Sequence, residues 1–508
     1  MDVFLLEKGD KVLLLGEGNF SFTCELVRIL KESCGFQDFS GFFSTCLEDE
    51  ESSAITAENK ALLEKEDIYV PGVRVLYGVD ATKLSQNKHL QNGNFRKVIF
   101  NFPHVGGKMK IHLNRLLLKE FFTCASDDGL LSHEGEILMS LCSGQGGTGA
   151  EKRQRRWDDT WQVTEMAAFG NFLLKRIENF PHTLFPSYVS TGFRSTIRSF
   201  HTEGALIHIF KKSNKALQEE IDSDEISNLH KFHTVNDIEV TSEYKNVILK
   251  NPFQNPESPQ SYLYSIFAHC AEKFGVNVIN DLPMSVNKVS THIGPICFQN
   301  KKPRFLRKSL FEVLENVVEV IASGIVFNDI SCMSQPLADC ELLIHSKNIQ
   351  EIVKESITII SNKFTATIED ITYCVYNSHE CCSINIDKLC SYLYQVDSHQ
   401  LWLGTCLNNI FIPLSIFPKQ YDFDVSFGSD RTIDERTFRT ILYRLPCGII
   451  SSIRLLSVFH PEEIQMIYYC YRITYVSYEY PLHRLRVIKY NYNVLCKTLE
   501  KFFKVNIR

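Results

Sequence analysis

Three short stretches of the chain carry residue types that could bind a ligand or take part in chemistry. The stretch Gly16–Gly18 has two glycines, which allow a sharp turn and a close approach of the backbone to a ligand because neither has a Cβ. The stretch Asn101–His104 offers an amide that could pair with a planar base, a proline that stiffens the turn, and an imidazole that could accept a proton. The acidic run Glu48–Glu51 is typical of sites that hold ribose hydroxyls.

Each stretch also has a purely structural interpretation. An ordinary strand-to-helix turn would explain the glycines, since the third position of a G-x-G-x-x-G match is Ser21. A partly buried turn histidine would explain His104. A solvated charge cluster would explain the acids, of which Glu48 is the best placed by register and Asp49 the next. The predicted strands and helices around the three stretches are needed to choose between these interpretations.

The apolar pattern predicts strands that bring the three stretches to one edge of a sheet. Val12–Leu15 reads as a buried strand that runs into the glycine turn and then into a helix over Phe22–Lys31. Further strands are predicted at Gly41–Leu47, Val73–Val79, Val98–Phe102 and Glu136–Leu141. Each ends in polar or glycine residues, so we expect a doubly wound α/β sheet with one crevice at the carboxyl ends of its parallel strands.

The bulk composition narrows the class of protein. A chain of 508 residues is too long for one core and predicts two or three domains. Its 17 cysteines include no C-x-x-C pair, so a zinc site has no support, and without a signal peptide we expect reduced thiols in an intracellular protein. No apolar run is long enough to cross a membrane.

Charge is spread unevenly along the chain. The net charge is −6, yet the segment from Ile410 to Arg508 carries 14 Lys and Arg against 9 Asp and Glu, a net of +5. The rest of the chain is therefore acidic, at −11. We expect any long-range attraction to phosphate groups to come mainly from the basic end.

Several separated words of the sequence resemble one known family. They are G-E-G-N-F-S-F at 16–22, V-L-Y-G-V-D-A-T at 75–82, V-I-F-N-F-P-H-V-G-G-K at 98–108, W-Q-V-T-E-M-A-A at 161–168, Y-V-S-T-G-F-R-S at 188–195 and F-H-T-E-G-A-L-I-H-I-F at 200–210. In this order they resemble the Rossmann-like domain of the eukaryotic 25S ribosomal RNA uridine-N3 methyltransferase family, over roughly residues 8–212.

The resemblance implies that S-adenosylmethionine binds in the predicted crevice. The cofactor-binding residues that it implies are Gly16, Glu17, Gly18, Phe20, Ser21, Glu48 and Asp80. Of these, the glycine turn would line the methionine moiety, Glu48 the ribose and Asp80 the adenine. The catalytic residues that it implies, which would face the base to be methylated, are Asn101, Pro103 and His104. Because uridine N3 carries a proton, His104 is the candidate to remove it.

A loop over Gly144–Arg156 is rich in glycine and ends in four cations: Lys152, Arg153, Arg155 and Arg156. Beside a crevice, these side chains could track phosphates. A weak nuclear-import-like patch, or simply a solvated loop, would explain them as well.

The rest of the chain divides into a linker, a middle region and a last domain. We predict a methyltransferase-like domain over 1–212, a polar and proline-containing linker over 213–260, an α+β middle region over 261–407 and a last domain over 408–508. The segments predicted in the middle region are helices at Tyr262–Phe274, Leu306–Ile321 and Ile349–Ser361, and strands at Cys340–Ile344 and Thr365–Tyr376. No catalytic constellation stands out there.

The last domain has the pattern of a split βαβ, ferredoxin-like fold. Its predicted elements are strand Tyr421–Phe427, helix Asp434–Leu445, strands Ile450–Phe459 and Cys470–Tyr478, a long helix Pro481–Phe503 beginning at its proline, and strand Lys504–Arg508. The words F-P-K-Q-Y-D-F-D-V-S-F and C-Y-R-I-T-Y-V-S-Y-E-Y-P-L resemble the ferredoxin-fold anticodon-binding domain of phenylalanyl-tRNA synthetases, over about 417–508. The RNA-binding residues expected from this resemblance are Tyr471, Arg472, Arg484, Arg486 and Lys489. Retention of the domain for protein contacts is the alternative.

These observations predict an S-adenosylmethionine-dependent RNA methyltransferase, of the uridine-N3 type on ribosomal RNA or tRNA, that positions its substrate through the last domain. We expect RNA as partner, no metal ion and no membrane contact, and a cytoplasmic location with the nucleolus as alternative. The competing interpretation is a non-catalytic RNA-binding or scaffold protein with a vestigial cofactor pocket.

Overall fold

The chain forms two compact units in a computed structural model. The described residues are 4, 6–51, 55, 59, 63, 72–105, 110–127, 129–190, 202–229, 259–275, 297–298, 340–345, 348–372, 375–377, 381–394, 405–407, 410–412, 415–461 and 465–508. One unit comprises Met1–Ile238 with Ser415–Arg508, and the other comprises Glu239–Leu414. The first unit therefore holds both predicted terminal domains.

A seven-stranded sheet organises the amino-terminal domain. Its strands are Val12–Leu15 (β1), Phe42–Thr45 (β2), Arg74–Leu76 (β3), Phe95–Asn101 (β4), Leu131–Leu141 (β5), Phe172–Asn179 (β6) and Leu206–Lys212 (β7). The order across the sheet is β3-β2-β1-β4-β5-β7-β6. Neighbours from β3 through β5 are parallel, whereas β7 runs antiparallel to both β5 and β6.

This strand order creates a topological switch point beside β1. The chain leaves β1 toward β2 and β3 on one side, and β4 then pairs with the other side of β1. In open α/β sheets, the crevice outside the carboxyl ends of the strands at such a point is the usual place for a ligand. The predicted strands are confirmed, although β4 and β5 begin earlier than the pattern indicated, at Phe95 and Leu131.

The first helix, α1, spans Ser21–Cys34 and follows directly from the glycine turn. Phe20 enters it in the left-handed region, with φ of 58°, and Gly35 ends it in the same region, where its N–H donates to the Leu30 carbonyl. The face with Phe22 and Leu26 is buried against the sheet. The turn after β1 is therefore fixed from both sides by buried elements.

The carboxyl-terminal domain has a four-stranded antiparallel sheet. Its elements are strand Tyr421–Ser429 (β14), helix Glu435–Tyr443, strands Ile450–Phe459 (β15) and Ile467–Tyr475 (β16), helix Arg484–Tyr490 and strand Asn506–Ile507 (β17). The sheet order β15-β16-β14-β17 and the order of elements confirm the split βαβ plan.

The last helix begins later than predicted. It starts at Arg484, because His483 acts as its cap and accepts the Arg486 N–H at its Nδ1 (3.2 Å), so Pro481 lies outside it. The helical path continues to Phe503 with wider, π-type turns over Asn491–Cys496 and Leu499–Phe503. The prediction of a long helix is confirmed, and the prediction of its first residue is wrong.

The polar stretch after β7 does more than connect the domains. It contains a short helix, Ser223–Leu229, and its apolar residues belong to the core of the carboxyl-terminal domain: Leu217, Ile221, Ile226 and Leu229. The sequence predicts a simple linker here because these apolar residues are isolated among acids.

The second unit is an α+β region, as predicted. It has strands Cys297–Phe298 (β8), Cys340–His345 (β9), Val375–Asn377 (β10) and Cys381–Asn385 (β11) in the order β10-β11-β9-β8, and a pair Thr405–Leu407 (β12) and Ile410–Ile412 (β13). Its core joins helices Pro259–Lys273, Ile349–Phe364 and Ile386–Tyr394. The stretch Thr365–Tyr376, predicted as one strand, instead contains helix Ile368–Thr372 before β10. The predicted helix Leu306–Ile321 lies outside the described residues.

Candidate functional site

A polar cavity opens at the switch point between β1 and β4, with about 330 Å³ of space when the part open to solvent is included. Its lining residues are Gly16, Glu17, Gly18, Asn19, Asn101, Phe102, Tyr188, Val189 and Ser190. The structure therefore brings the glycine turn and Asn101 together from sequence positions that are far apart.

The glycine turn is held open for a ligand by its backbone. Gly16 has φ of 67°, and a Cβ built on it would lie 2.8 Å from the Phe100 ring, so a larger residue would be strained and crowded. The following N–H, of Glu17, donates to the Thr45 carbonyl at 2.8 Å and ties the turn to β2. The turn requires glycine at position 16 for physical reasons.

Glu17 is an almost fully buried carboxylate on the cavity wall, with 7% of its surface exposed. Its Oε2 accepts the backbone N–H of Thr23 at 3.2 Å and the Thr23 hydroxyl at 3.1 Å. Burial raises its pKa to about 7 and outweighs these two hydrogen bonds, which lower it. Glu17 therefore changes its charge near neutral pH.

Asn101 is the last residue of β4, and only the oxygen of its side-chain amide has a hydrogen-bond partner among the described residues. Its Oδ1 accepts the Ser140 hydroxyl at 2.6 Å, whereas its buried Nδ2 has no hydrogen-bond partner in the described part of the chain. An unpaired buried donor is costly. On the wall of a polar cavity, it is a donor available to a ligand.

The third wall comes from a segment that sequence reasoning did not assign to the site, Tyr188–Ser190. The Val189 N–H donates to the Ser21 hydroxyl at 3.0 Å, and that hydroxyl in turn donates to the Asn19 amide oxygen at 2.7 Å. Ser21 thus positions the wall without lining the cavity itself. The family resemblance of residues 188–195 was the available signal, but none of the residue types there indicates a particular role.

Three other predicted cofactor residues lie near the same sheet edge but do not line the cavity. Phe20 is buried, with its ring edge-on to Tyr77 at 5.6 Å. Glu48 is exposed and accepts the Cys46 thiol hydrogen bond, with 2.9 Å between sulfur and oxygen. Asp80 accepts the N–H and the hydroxyl of Thr82 (2.9 and 2.7 Å); burial opposes its ionisation, but these bonds outweigh burial and lower its pKa.

The structure separates Asn101 from the other two predicted catalytic residues. Pro103 is buried, and His104 is half-buried with its ring 6.1 Å from that of Trp161; neither lines the cavity. Burial, assisted by the charge of Lys110, lowers the pKa of His104, so its imidazole is neutral at pH 7.

Tyr471 is not a surface residue, which corrects its assignment to an RNA-binding face. Its side chain is 1% exposed, its ring stacks on Phe438 with centroids 4.4 Å apart, and its hydroxyl donates to Glu435. Its neighbour Arg472 does face solvent, where it forms a two-pronged ion pair with Asp424 at 2.7 and 2.8 Å.

The other three predicted RNA-binding residues lie at or beside the contact between the two terminal domains. Arg486 donates to Glu219 (3.2 Å), to the Asn171 side chain (3.3 Å) and to the Pro481 carbonyl (2.9 Å). Lys489 pairs with the same Glu219 at 3.4 Å. The backbone N–H of Arg484 donates to Glu165 at 3.0 Å, while its guanidinium lies 5.5 Å from the Phe423 ring centroid.

Further contacts join the same two domains. The His483 ring stacks on Phe169 at 3.9 Å, and burial, with the nearby positive charges, lowers the pKa of His483 to about 3. Lys215 pairs with Glu479 at 2.6 Å, and the Ile416 N–H donates to the Leu174 carbonyl at 2.8 Å. The carboxyl-terminal domain is therefore firmly attached along the helix Val163–Phe169 and the start of β6.

Within the described residues, no group of three or more His, Cys, Asp or Glu side chains has the arrangement to hold a metal ion. No helix of that part of the chain has the length and hydrophobicity needed to span a bilayer.

The seven-stranded sheet, in which β7 runs antiparallel between β5 and β6, and the polar cavity at its switch point have the arrangement of a Rossmann-like α/β domain. Residues 13–192 match the family model described as BMT5-like, rRNA (uridine-N3-)-methyltransferase BTM5-like. The amino-terminal part of the chain thus carries a BMT5-like methyltransferase domain, which confirms the resemblance found in the sequence.

The chain is also similar to two named animal proteins. It is 41% identical over 209 residues to the ferredoxin-fold anticodon-binding domain-containing protein 1 homolog of Mus musculus, and 40% identical over 206 residues to ferredoxin-fold anticodon-binding domain-containing protein 1 of Homo sapiens. Each match covers 40% of this chain and 31% of the relative, so it spans about a third of their length.

Among solved structures, we give one example of partial similarity. The 30S ribosomal A1408 methyltransferase from an uncultured bacterium aligns with 40% of this chain and 88% of its own, at 16% identity and a TM-score of 0.27.

Proposed function

We propose that this protein transfers a methyl group from S-adenosylmethionine to a base nitrogen of RNA, with uridine N3 as the acceptor. The observation that carries the proposal is the cavity at the switch point, where the glycine turn meets the open amide of Asn101. The family description of residues 13–192 supports the choice of RNA and of uridine N3.

The residues of the cavity fit the cofactor. The turn at Gly16 keeps side-chain atoms out of the space, and Glu17 offers a buried carboxylate that favours a cationic ligand once it is ionised. We propose that Gly16–Gly18 hold the methionine moiety, and that Glu48 and Asp80, at the ends of β2 and β3, contact the nucleoside. When bound, S-adenosylmethionine supplies an electrophilic methyl group on a sulfonium sulfur.

Asn101 is the residue that we assign to the acceptor base. Its free Nδ2 can donate to a carbonyl oxygen of uracil, while Ser140 fixes the other end of the amide. Held in this way, the amide orients the base and contributes through positioning, which can supply several kcal/mol of barrier reduction. The proton on N3 must leave as the new bond forms. His104 is neutral and able to accept it, but only through water, because it does not line the cavity.

The test is methyl transfer by the purified full chain. We would incubate it with labelled S-adenosylmethionine and RNA from cells lacking the protein, digest the RNA and separate its nucleosides. We expect label in 3-methyluridine, and none with the Gly18→Asp variant as control. Cofactor binding without transfer to any RNA fraction would contradict the proposal.

A non-catalytic RNA-binding protein is the second candidate. The position of His104 favours it, since the base predicted to remove the N3 proton lies outside the cavity. The same incubation separates the two candidates, because a vestigial cavity would leave all nucleosides unlabelled.

A further inference from the structure

We infer that the RNA backbone lies on the loop Lys152–Arg156 of the methyltransferase domain, rather than on the carboxyl-terminal domain from which the charge distribution predicted the main attraction. We call this segment the basic loop. The inference rests on the proposed function, which names RNA as the substrate. It assigns a phosphate-binding surface to residues outside the cavity.

The basic loop is anchored at its base. Glu151, which is 5% exposed, accepts the N–H of Gly144 at 2.7 Å and the N–H of Gly146 at 3.1 Å through its two carboxylate oxygens. The Gln154 side chain donates to the Glu151 carbonyl at 2.9 Å. A Cβ built on Gly144 would lie 2.8 Å from Nε of Arg155, so that side chain lies against the glycine segment. The loop therefore presents its charges from a fixed position.

Three of its cations are exposed and not engaged by acids. The side chains of Lys152, Arg153 and Arg156 face solvent, and none has an ion pair with a carboxylate of the described residues. Pairs inside a protein lower the free energy that a cation can gain from a new phosphate, because the existing partner must first be displaced. Unpaired exposed cations have no such cost and release counterions on binding.

Three of the predicted RNA-binding cations of the carboxyl-terminal domain are in the opposite situation, whereas the guanidinium of Arg484 lies near the Phe423 ring. Arg472 is paired with Asp424, and Arg486 and Lys489 are paired with Glu219. Arg486 is only 20% exposed and holds the two domains together. Part of the positive charge of the last domain is therefore already paired with carboxylates of the same chain.

The basic loop also lies near the edge of the sheet formed by the carboxyl ends of β4 and β5, where the cavity opens. It follows β5, the strand that pairs with β4, whose last residue is Asn101. At its far end, the Trp161 N–H donates to the Gln145 carbonyl at 2.7 Å, and the Trp161 ring contacts His104 of the Asn101 turn. The ammonium of Lys419, from the carboxyl-terminal domain, lies 4.5 Å from the centroid of Trp157 and adds a cation to the same side. An RNA strand on this loop would pass the edge at which its base enters the cavity.

The test compares two variants that each remove three positive charges from the same domain. The first is Lys152→Gln with Arg153→Gln and Arg156→Gln. The control is Lys8→Gln with Lys11→Gln and Lys88→Gln, three exposed lysines near the amino ends of β1 and β4. The probe is total cellular RNA, fragmented and end-labelled, titrated with the full chain over a series of salt concentrations.

We expect the basic-loop variant to reduce the slope of log K against log salt by about two to three units, and the control to leave the slope within one unit of wild type. Equal slopes for the two variants would overturn the inference. The single Lys152→Gln variant, with an expected decrease of about 0.7–0.9 unit, guards against a folding defect in the triple variant. The readout needs no methyl transfer, so a failed methylation assay would count against the proposed function and leave this test unaffected.

Discussion

Polar groups at the cavity between β1 and β4 differ from those at the contact between the two terminal domains in how many hydrogen-bond partners the chain supplies. At the domain contact, Arg486 has three hydrogen-bond partners and Lys215 has a carboxylate at 2.6 Å. At the cavity, Asn101 has an unpaired donor and Glu17 is a buried acid whose pKa is raised to about 7. At the domain contact the chain itself supplies the hydrogen-bond partners, whereas at the cavity one buried donor has none among the described residues.

This difference in hydrogen bonding indicates a structural role for the domain contact and a ligand-binding role for the cavity. Satisfied buried polar groups stabilise an arrangement of domains, whereas unsatisfied donors and strongly shifted carboxylates concentrate where a ligand completes the interactions. By this criterion Arg486 has a structural role, although its charge alone made it a candidate for RNA binding. The variants below test the comparison, in order of decreasing expected effect.

Gly18→Asp should abolish S-adenosylmethionine binding while the protein stays folded. The substitution places a carboxylate and a Cβ on the cavity wall, where the ligand must pass close to the backbone. Calorimetric titration should detect no cofactor binding, with the melting temperature close to wild type. Lys88→Asp, which puts the same carboxylate at the opposite edge of the sheet, should bind normally. Unchanged affinity in the folded Gly18→Asp variant would remove the turn from the site.

Asn101→Ala should reduce the rate of methyl transfer by about 10² to 10³, the usual loss for one positioned donor at a reacting centre. Cofactor affinity should be nearly unchanged, and stability should fall by only about 1 kcal/mol, because Ser140 loses its acceptor. His104→Ala is the matched control from the same turn and should have a smaller effect on rate. Equal loss of cofactor affinity in both would instead mean that this turn shapes the cofactor pocket.

Glu17→Gln should remove a pH dependence of stability. The folded pKa of about 7 lies above the ordinary value of 4.5, so the folded state retains a proton that the unfolded state has lost between these values. The contribution of Glu17 to the free energy of unfolding is therefore fully present below about pH 4.5 and is lost as the pH rises to about 7. The loss should be on the order of 3 kcal/mol in wild type relative to the variant. Urea unfolding of both proteins from pH 4.5 to 8 measures it, and parallel curves would contradict the assignment.

Arg486→Ala should destabilise the attached domain by about 1 to 2 kcal/mol, because Asn171 and Glu219 each lose a partly buried partner. Lys489→Ala is the control, since Lys489 is 64% exposed and its pair with Glu219 should contribute less than about 1 kcal/mol. Both variants should bind S-adenosylmethionine like wild type. A loss of RNA affinity in Arg486→Ala larger than that in the basic-loop variant would reverse the comparison.

Much of this architecture follows from local sequence. The run Val12–Leu15 is buried on both faces of the sheet and ends in glycine, so a strand and a tight turn before α1 were predictable from residue type and period alone. The same holds for the alternating strands and the helices of the last domain. These elements depend on neighbours a few residues apart, which is the range over which a single sequence carries information.

The tertiary structure decided which side chains are available. Tyr471 and Arg472 are adjacent in β16 and point to opposite faces, but only the helices packed on one face determine that the tyrosine is buried. Arg486 meets Glu219 across 267 residues of chain, so no local pattern could show that its charge is occupied. Asn101 lines the cavity and His104 does not; the His104 ring instead lies 6.1 Å from that of Trp161, a residue distant in the sequence. Long-range contacts set exposure and pairing, and these properties separate a binding residue from a structural one.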